Sequence, residues 1–245
     1  IDHARSVRGK SIYPLVPGHE IAGIVSGVGA EVTRFEVGDR AGVGVMVDTC
    51  RSCANCREGL EQYCTGGRVM TYNSIGRDGE PTYGGYSEKI VVDEHFAVRI
   101  PDGIPLQNAA PLMCAGITMY SPLRHWKAGP GKRVAIVGFG GLGHVGVQLS
   151  RAMGAHTTVL ELSQDKRADA LRLGADEYVV TTGRDALAQM SDAFDLILST
   201  VPANLDMNAL LGTLARDGTF VNLGVPDAPL LSLIHISEPT RPERI

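Results

Sequence analysis

From Arg133 onward, the apolar runs RVAIVG, TTVLEL, EYVVTT, LILST and TFVNLG alternate with the helix-like stretches HVGVQLSRAMGA, QDKRADALRLGA and NLDMNALLGTLARDG. Strands that are separated by helices run parallel, because each helix carries the chain back to the edge where the next strand starts. The stretch therefore predicts a doubly wound parallel sheet with helices on its faces. Gly138, Gly140 and Gly143 form G-x-G-x-x-G directly after the first run and open the first helix. In that context the first glycine allows a tight turn, the second lets backbone approach a pyrophosphate, and the third lets helix pack on strand. The helix start supplies free N–H groups to the anion. A dinucleotide is the expected ligand.

Glu161 ends the second run, 18 residues past Gly143, where a carboxylate would accept from the adenosine ribose hydroxyls. It would repel the 2′-phosphate of NADP, which leans the reading toward NAD. Ser163, Lys166 and Arg167 pull the other way if the carboxylate turns outward, since they would hydrogen-bond and neutralise a phosphate. Gly154, Gly174 and Gly218 each follow a helical run and are read as left-handed C-terminal caps.

Ahead of this region, IAGIVSGVG, DRAGVGVMV, YSEKIVVDE and FAVRIP read as short strands, with GRDGEPTYGG as a polar loop between them. They predict a β-rich, barrel-like domain. LMCAGITMYSPLRHW reads as a helix, which places the boundary near residue 115.

Cys50, Cys53, Cys56 and Cys64 have the spacing C-x2-C-x2-C-x7-C in a polar setting, which suits one tetrahedral zinc with no open position, hence a structural ion. Disulfides are the alternative. The start of the chain shows no secretory pattern, so a cytoplasmic, reducing location is expected, and cysteines three apart would bridge with strain. Cys114 lies at the domain junction, where a lone cysteine is usually inert packing and a metal ligand is the alternative. His19 and Glu20, in a GHE turn, make an open, catalytic metal site possible in the same way.

The formal net charge of -4, from 23 basic and 27 acidic residues with no like-charge run, gives no footprint for nucleic acid or membrane surfaces. The cysteine cluster has Asp48, Glu58 and Glu61 beside Arg51 and Arg57, so a nucleic-acid-gripping zinc ribbon ranks below a metal-stabilised enzyme lobe.

Both ends are expected to be foreign to the fold or incomplete. The chain opens at IDHARS without Met, and LSLIHISEPTR near the other end resembles a translated adapter of sequencing libraries. His235 is set aside with that tail. The expected organisation is residues 1–114 as a zinc-binding domain, 115–229 as a dinucleotide-binding domain and 230–245 as a non-native tail.

VPGHEIAGIV, the four-cysteine lobe, YGGYSE, PLMCAGITMYSPLRHW and VGFGGLGHVGVQL, in that order, resemble the zinc-containing medium-chain alcohol dehydrogenases, and among them the cinnamyl-alcohol-dehydrogenase-like branch. The resemblance implies a GroES-like catalytic domain followed by a Rossmann domain. It implies that His19 and Cys114 bind a catalytic zinc with Glu20 as alternate ligand, and that the four cysteines form the structural zinc lobe. It further implies that Thr118, Gly138, Phe139, Gly140, Gly141, Leu142, Gly143, Glu161, Ser163, Lys166, Thr200, Val201, Gly224 and Val225 line NAD or NADP. The implied reaction is hydride transfer between a primary alcohol or aldehyde, aromatic or medium-chain, and NAD(P), in a homodimer or tetramer. A zinc-free quinone reductase of the same superfamily would need neither the lobe nor the GHE turn. The family's third catalytic-zinc ligand aligns four residues before Ile1, and its relay histidine falls on Asp2 with His3 one position late. The 245-residue chain itself is accordingly expected to be inactive.

Overall fold

The computed structural model describes residues 9, 11–182, 186–226 and 228–232. Asp2, His3 and His235 lie outside them. The chain divides into two compact units, Ile1–Cys114 and Ala115–Ile245.

In the first unit β1 (Ile21–Ile24), β2 (Arg40–Val43) and β5 (Ala97–Arg99) form an antiparallel sheet in the order β1-β2-β5, and β3 (Met46–Thr49) pairs with β4 (Arg68–Met70). DRAGVGVMV, read as one strand, is therefore two that belong to different sheets. The segment between β3 and β4 carries the cysteines and only one turn of helix, α1 (Ala54–Arg57), with a 3₁₀ turn at Glu61–Tyr63. A short helix α2 (Leu106–Ala109) and a 3₁₀ turn at Ala110–Met113 lead to Cys114.

YSEKIVVDE is not a strand. It bends over its first three residues and has no ladder partner among the described residues, and Val91 is 98% exposed. Alternation supplies a face to bury, but a strand exists only where a second strand takes up its N–H and C=O groups.

The second unit opens with α3 (Ala115–His125), which ends the helix expected from Leu112 onward, and continues with β6 (Arg133–Val137), α4 (Gly141–Ala152), β7 (His156–Glu161), α5 (Arg167–Leu173), β8 (Glu177–Val180), β9 (Phe194–Ser199), α6 (Met207–Leu211) and β10 (Leu214–Asn222). All five strands are parallel, in the order β10-β9-β6-β7-β8. The order reverses between β6 and β9, and in such sheets ligands enter the crevice at that reversal.

Alternate residues of the central strands feed two cores. Val134 and Ile136 face Met119, Leu123 and Val147 of α3 and α4, whereas Ala135 and Val137 face Leu210 of α6. Helices thus cover both faces, and the strands are buried on both, which is why they read as nearly continuous apolar runs.

Two local expectations fail. NLDMNALLGTLARDG is helical only over Met207–Leu211, and its LARDG half starts β10. Gly218 accordingly is no helix cap but lies inside β10, where Asp217 takes the positive φ and the register shifts between Leu214 and Thr219. Gly154 and Gly174 do adopt positive φ behind α4 and α5. No described helix is long and apolar enough to cross a membrane.

Candidate active site and metal centres

The glycine turn lies at the sheet's reversal point. Gly138 leaves β6 with φ +88, and a Cβ there would meet Val201 Cγ2 at 2.7 Å and Thr200 Oγ1 at 2.9 Å. Thr200, just past β9, closes the crevice floor: its N–H donates to Val137 O at 2.9 Å, and its hydroxyl reaches Val137 O and Gly138 O at 3.0 and 3.1 Å. Gly224 packs so close to Val201 that any Cβ would strike the Val201 carbonyl. Phe139 is buried, stacks on His144 at 4.0 Å between ring centroids, and anchors the turn from below.

Gly140 and Gly141 are exposed, with nothing near the position a Cβ would take, and Gly140 leads α4 with no side chain capping its first N–H groups. An open cradle above uncapped donors fits a pyrophosphate. Leu142 is half-buried against the core, Val225 is exposed, and Thr118 lies half-buried in the first turn of α3.

Among the glycines of the turn, Gly143 leaves the least room, because a Cβ there would run into the Gly138 carbonyl. Gly143→Ala is expected to lower the unit's stability by about 1–3 kcal/mol through overpacking. It should also weaken dinucleotide affinity at least tenfold, about 1.4 kcal/mol. Thermal melting and fluorescence titration with reduced dinucleotide check both effects.

Glu161 reaches back to this turn instead of outward. Its carboxylate accepts from Phe139 N at 2.9 Å and Leu162 N at 2.8 Å, and Lys166 Nζ lies 3.1 Å away. Burial alone would raise its pKa, but the two backbone N–H groups and Lys166 outweigh that and hold it below the usual carboxylate range. Ser163 is half-buried, its backbone carbonyl held by the Tyr178 hydroxyl at 2.6 Å, and its hydroxyl donates to Asp165 at 3.3 Å.

In the first unit, His19 Nε2 lies 3.1 Å from Cys114 Sγ, across 95 residues of sequence. The GHE turn is held by the YGGY segment: Gly84 N donates to Val16 O, Gly85 N to Gly18 O and Tyr86 N to Pro17 O. A Cβ on Gly84 would collide with Pro17 and Gly18, so the two stretches approach as only glycine permits. Cys114 is carried in by Met113, which packs on β2 and its exit where Gly42 and Gly44 leave no room for side chains.

Tyr72 stacks on the His19 ring at 5.9 Å and 17°. Burial and the neighbouring Cys114 and Tyr86 raise the Tyr72 pKa. The imidazole is thus oriented by a flat aromatic wall that the sequence reading missed. Its only signal was an aromatic residue next to Thr71, a position with no motif around it.

A half-buried imidazole nitrogen 3.1 Å from a thiol sulfur is a two-donor start for an open zinc site. Glu20 is exposed and does not complete it. Among the described residues, the four cysteines are the one group of three or more His, Cys, Asp or Glu donors lying within 4.8 Å of one another.

Those four fit a tetrahedral ion. Zinc–sulfur bonds of ~2.3 Å set the sulfurs about 3.8 Å apart; Cys50 and Cys56 stand at 3.9 Å and Cys53 and Cys56 at 3.5 Å. The backbone already favours thiolates there. The N–H groups of Ser52 and Cys53 draw Cys50 down to about 5, and those of Cys56 and Thr65 draw Cys53 to about 7. At Cys56 the Thr49 hydroxyl lowers the pKa, but burial and the thiols of Cys53 and Cys64 win and push it to about 11. One positive ion among the four sulfurs is what would let all of them ionise together. All five cysteines are free of disulfides.

Residues 2–102 match the alcohol dehydrogenase GroES-like domain, and residues 141–240, a span reaching beyond Pro229, match the zinc-binding dehydrogenase model. The chain is 62% identical over 219 residues to NADP-dependent alcohol dehydrogenase C 1 of Mycolicibacterium smegmatis, covering 89% of this chain and 63% of that protein. It therefore spans about 63% of the length of such a curated relative. Among solved structures, a cinnamyl alcohol dehydrogenase of Sorghum bicolor superposes with a TM-score of 0.91 at 41% identity, over 95% of this chain and 67% of that one. The cinnamyl alcohol dehydrogenase of Helicobacter pylori complexed with NADP(H) gives 0.89 at 41% identity, over 96% and 69%.

The lean toward NAD drawn from Glu161 is not supported. The similar proteins are described with NADP, and the carboxylate is engaged by two N–H groups and an ammonium rather than held free against a 2′-phosphate.

Proposed function

Because this chain belongs to the zinc-binding, GroES-like alcohol dehydrogenase family, in its cinnamyl-alcohol-dehydrogenase-like branch, we propose that the protein interconverts primary alcohols, aromatic or medium-chain, and their aldehydes. The observation that carries the reading is the 3.1 Å approach of His19 Nε2 and Cys114 Sγ. His19 and Cys114 are the residues that would hold the catalytic zinc, and Cys50, Cys53, Cys56 and Cys64 the structural one. When bound, zinc supplies Lewis acidity toward a hydroxyl or carbonyl oxygen, and the nicotinamide supplies the hydride acceptor or donor.

The chain's own groups do the positioning. Tyr72 fixes the plane of the His19 ring, Gly84 and Gly85 fix the turn that carries it, and Met113 fixes the approach of Cys114. The uncapped start of α4 takes the pyrophosphate charge, and Thr200 and Gly224 shape the crevice beside it. We read the location as cytoplasmic, a compartment that keeps five thiols available to metal.

The cofactor in this reading is NADP(H). Lys166 is exposed at the start of α5, with its ammonium 3.1 Å from a compensated carboxylate, and can serve an added phosphate. Lys166→Ala is expected to weaken NADPH binding about tenfold, near 1.4 kcal/mol, while NADH affinity stays within about twofold. Equal losses for the two cofactors, measured by fluorescence titration, would contradict it.

The activity is tested by following nicotinamide reduction with benzylic and straight-chain primary alcohols in the longest natural form of the chain. Turnover of at least one class is expected. Absence of turnover with all of them, in protein that binds NADPH and carries two zinc ions, would end the reading.

A further inference from the structure

Arg77 lies outside the cysteine segment, yet its guanidinium touches both ends of it. Nε donates to Thr49 O at 2.8 Å, and one terminal nitrogen reaches Gly66 O at 3.3 Å and Gly67 O at 3.0 Å. Thr49 immediately precedes Cys50, and Gly66 and Gly67 follow Cys64 by two and three positions. The β3–β4 ladder ends at the Thr49–Arg68 pair, so these carbonyls lie where the two strands part to enter the lobe. Gly66 comes so near that a Cβ would meet Cys50 Cβ at 2.6 Å, which brings entry and exit within the span of one planar fork. Asp48 Oδ2, 4.0 Å away, sits on the same side chain's flank.

We infer that Arg77 is a positioning residue for the lobe metal, a clasp that locks the first and last cysteines together from outside and sets how slowly the ion leaves. The inference rests on the reading of the four cysteines as a zinc site and adds to it a residue with no sulfur, no place in the motif and no contact with the ion. Two properties of the fork matter. Its donors are rigidly spaced, so one group can hold carbonyls from two strands at once, which a lysine ammonium on a flexible stem does less well. Its charge also lies beside a cluster of four thiolates whose negative charge exceeds that of one divalent ion.

The lobe has little apolar core of its own, and its other side-chain ties, Arg51 to Asp48 and Asp93 and Glu61 to His95, hold single points without joining its two ends. Cys56 is its one buried residue across α1 and the 3₁₀ turn, and Leu60 and Tyr63 point to solvent. Arg68 provides a control: it is on the same stem and donates to Gln62 O at 3.2 Å, but it spans no two ends.

The test uses the full chain loaded with Co²⁺, whose tetrathiolate absorption reports the lobe alone, followed by EDTA. Wild type, Arg77→Ala, Arg77→Lys and Arg68→Ala should start with the same band, since no ligand changes. The two Arg77 variants should lose it at least about tenfold faster, the lower end of the usual effect of a partner just outside the ligand sphere, with Arg68→Ala unchanged. If Arg77→Ala does not fold, Arg77→Lys, which keeps the charge, carries the test. Decay of either Arg77 variant within twofold of wild type overturns the clasp while leaving the zinc site intact. A wild-type chain that never forms the band overturns the four-cysteine reading, and the clasp with it.

Discussion

Replacing Cys56 with Ser should cost the protein one bound zinc per chain and, with it, the fold of the segment between Cys50 and Gly67. The reason is the absence of any other core in that segment. Its regular structure amounts to the single turn of α1 and one 3₁₀ turn, and its apolar residues Leu60 and Tyr63 are exposed. So few contacts cannot repay the backbone entropy of ordering it, on the order of 1–2 kcal/mol per residue. A structural zinc contributes on the order of 10–16 kcal/mol in comparable small sites, as much as the whole stability of an ordinary domain. Losing one of four thiolates removes much of that. Metal analysis should show the missing equivalent, and limited proteolysis should cut within the lobe while the sheet unit stays resistant. A Cys56→Ser protein that keeps its zinc and its protease resistance would show that packing, not metal, closes the lobe.

The second large effect is on turnover. His19→Ala and Cys114→Ser, made separately in the longest natural form of the chain, should each lower turnover by at least about 10³-fold, equivalent to roughly 4 kcal/mol of transition-state stabilisation. Affinity for NADPH should stay the same, because the groups proposed to hold the dinucleotide, in the turn at Gly138–Gly143 and at Thr200, are distinct from His19 and Cys114. The two variants should also be non-additive, since each destroys the same site. Comparable losses of cofactor affinity, or turnover within tenfold of wild type, would remove these side chains from the chemistry.

The parallel sheet was legible in the sequence because burial on both faces writes long apolar runs, and because the glycines at 138, 140 and 143 need a strand before them and a helix after them. The structure places all three at the reversal of strand order. The cysteine cluster was legible because tetrahedral chemistry demands close spacing, and the sulfurs do converge. His19 and Cys114 were the difficult pair. Nothing in their local sequence links residues 95 positions apart, so spacing left them open, and the family likeness alone paired them.

Other features were illegible for the same physical reason, that they depend on a partner elsewhere in the chain. YSEKIVVDE alternates like a strand but finds no ladder among the described residues. LARDG looks helical until β9 offers it an edge. The place of Glu161 at the end of β7 follows from the spacing, but its hydrogen bonds from the N–H groups of Phe139 and Leu162 depend on how the glycine turn folds back on it. Tyr72 had no signal beyond composition, and Gly84 and Gly85 entered only within the YGGYSE stretch that carries the family likeness, with no role attached; their roles exist only once the GHE turn is folded against them.

The central claim is that His19 and Cys114 together hold a second metal ion, separate from the one in the lobe. Anomalous scattering at the zinc absorption edge, recorded from crystals of the longest natural form of the chain, tests it directly. Two peaks are predicted, one enclosed by the sulfurs of Cys50, Cys53, Cys56 and Cys64 and one in bonding contact with His19 Nε2 and Cys114 Sγ. A single peak at the lobe, with zinc supplied in excess and nothing bound at His19 and Cys114, would contradict the account.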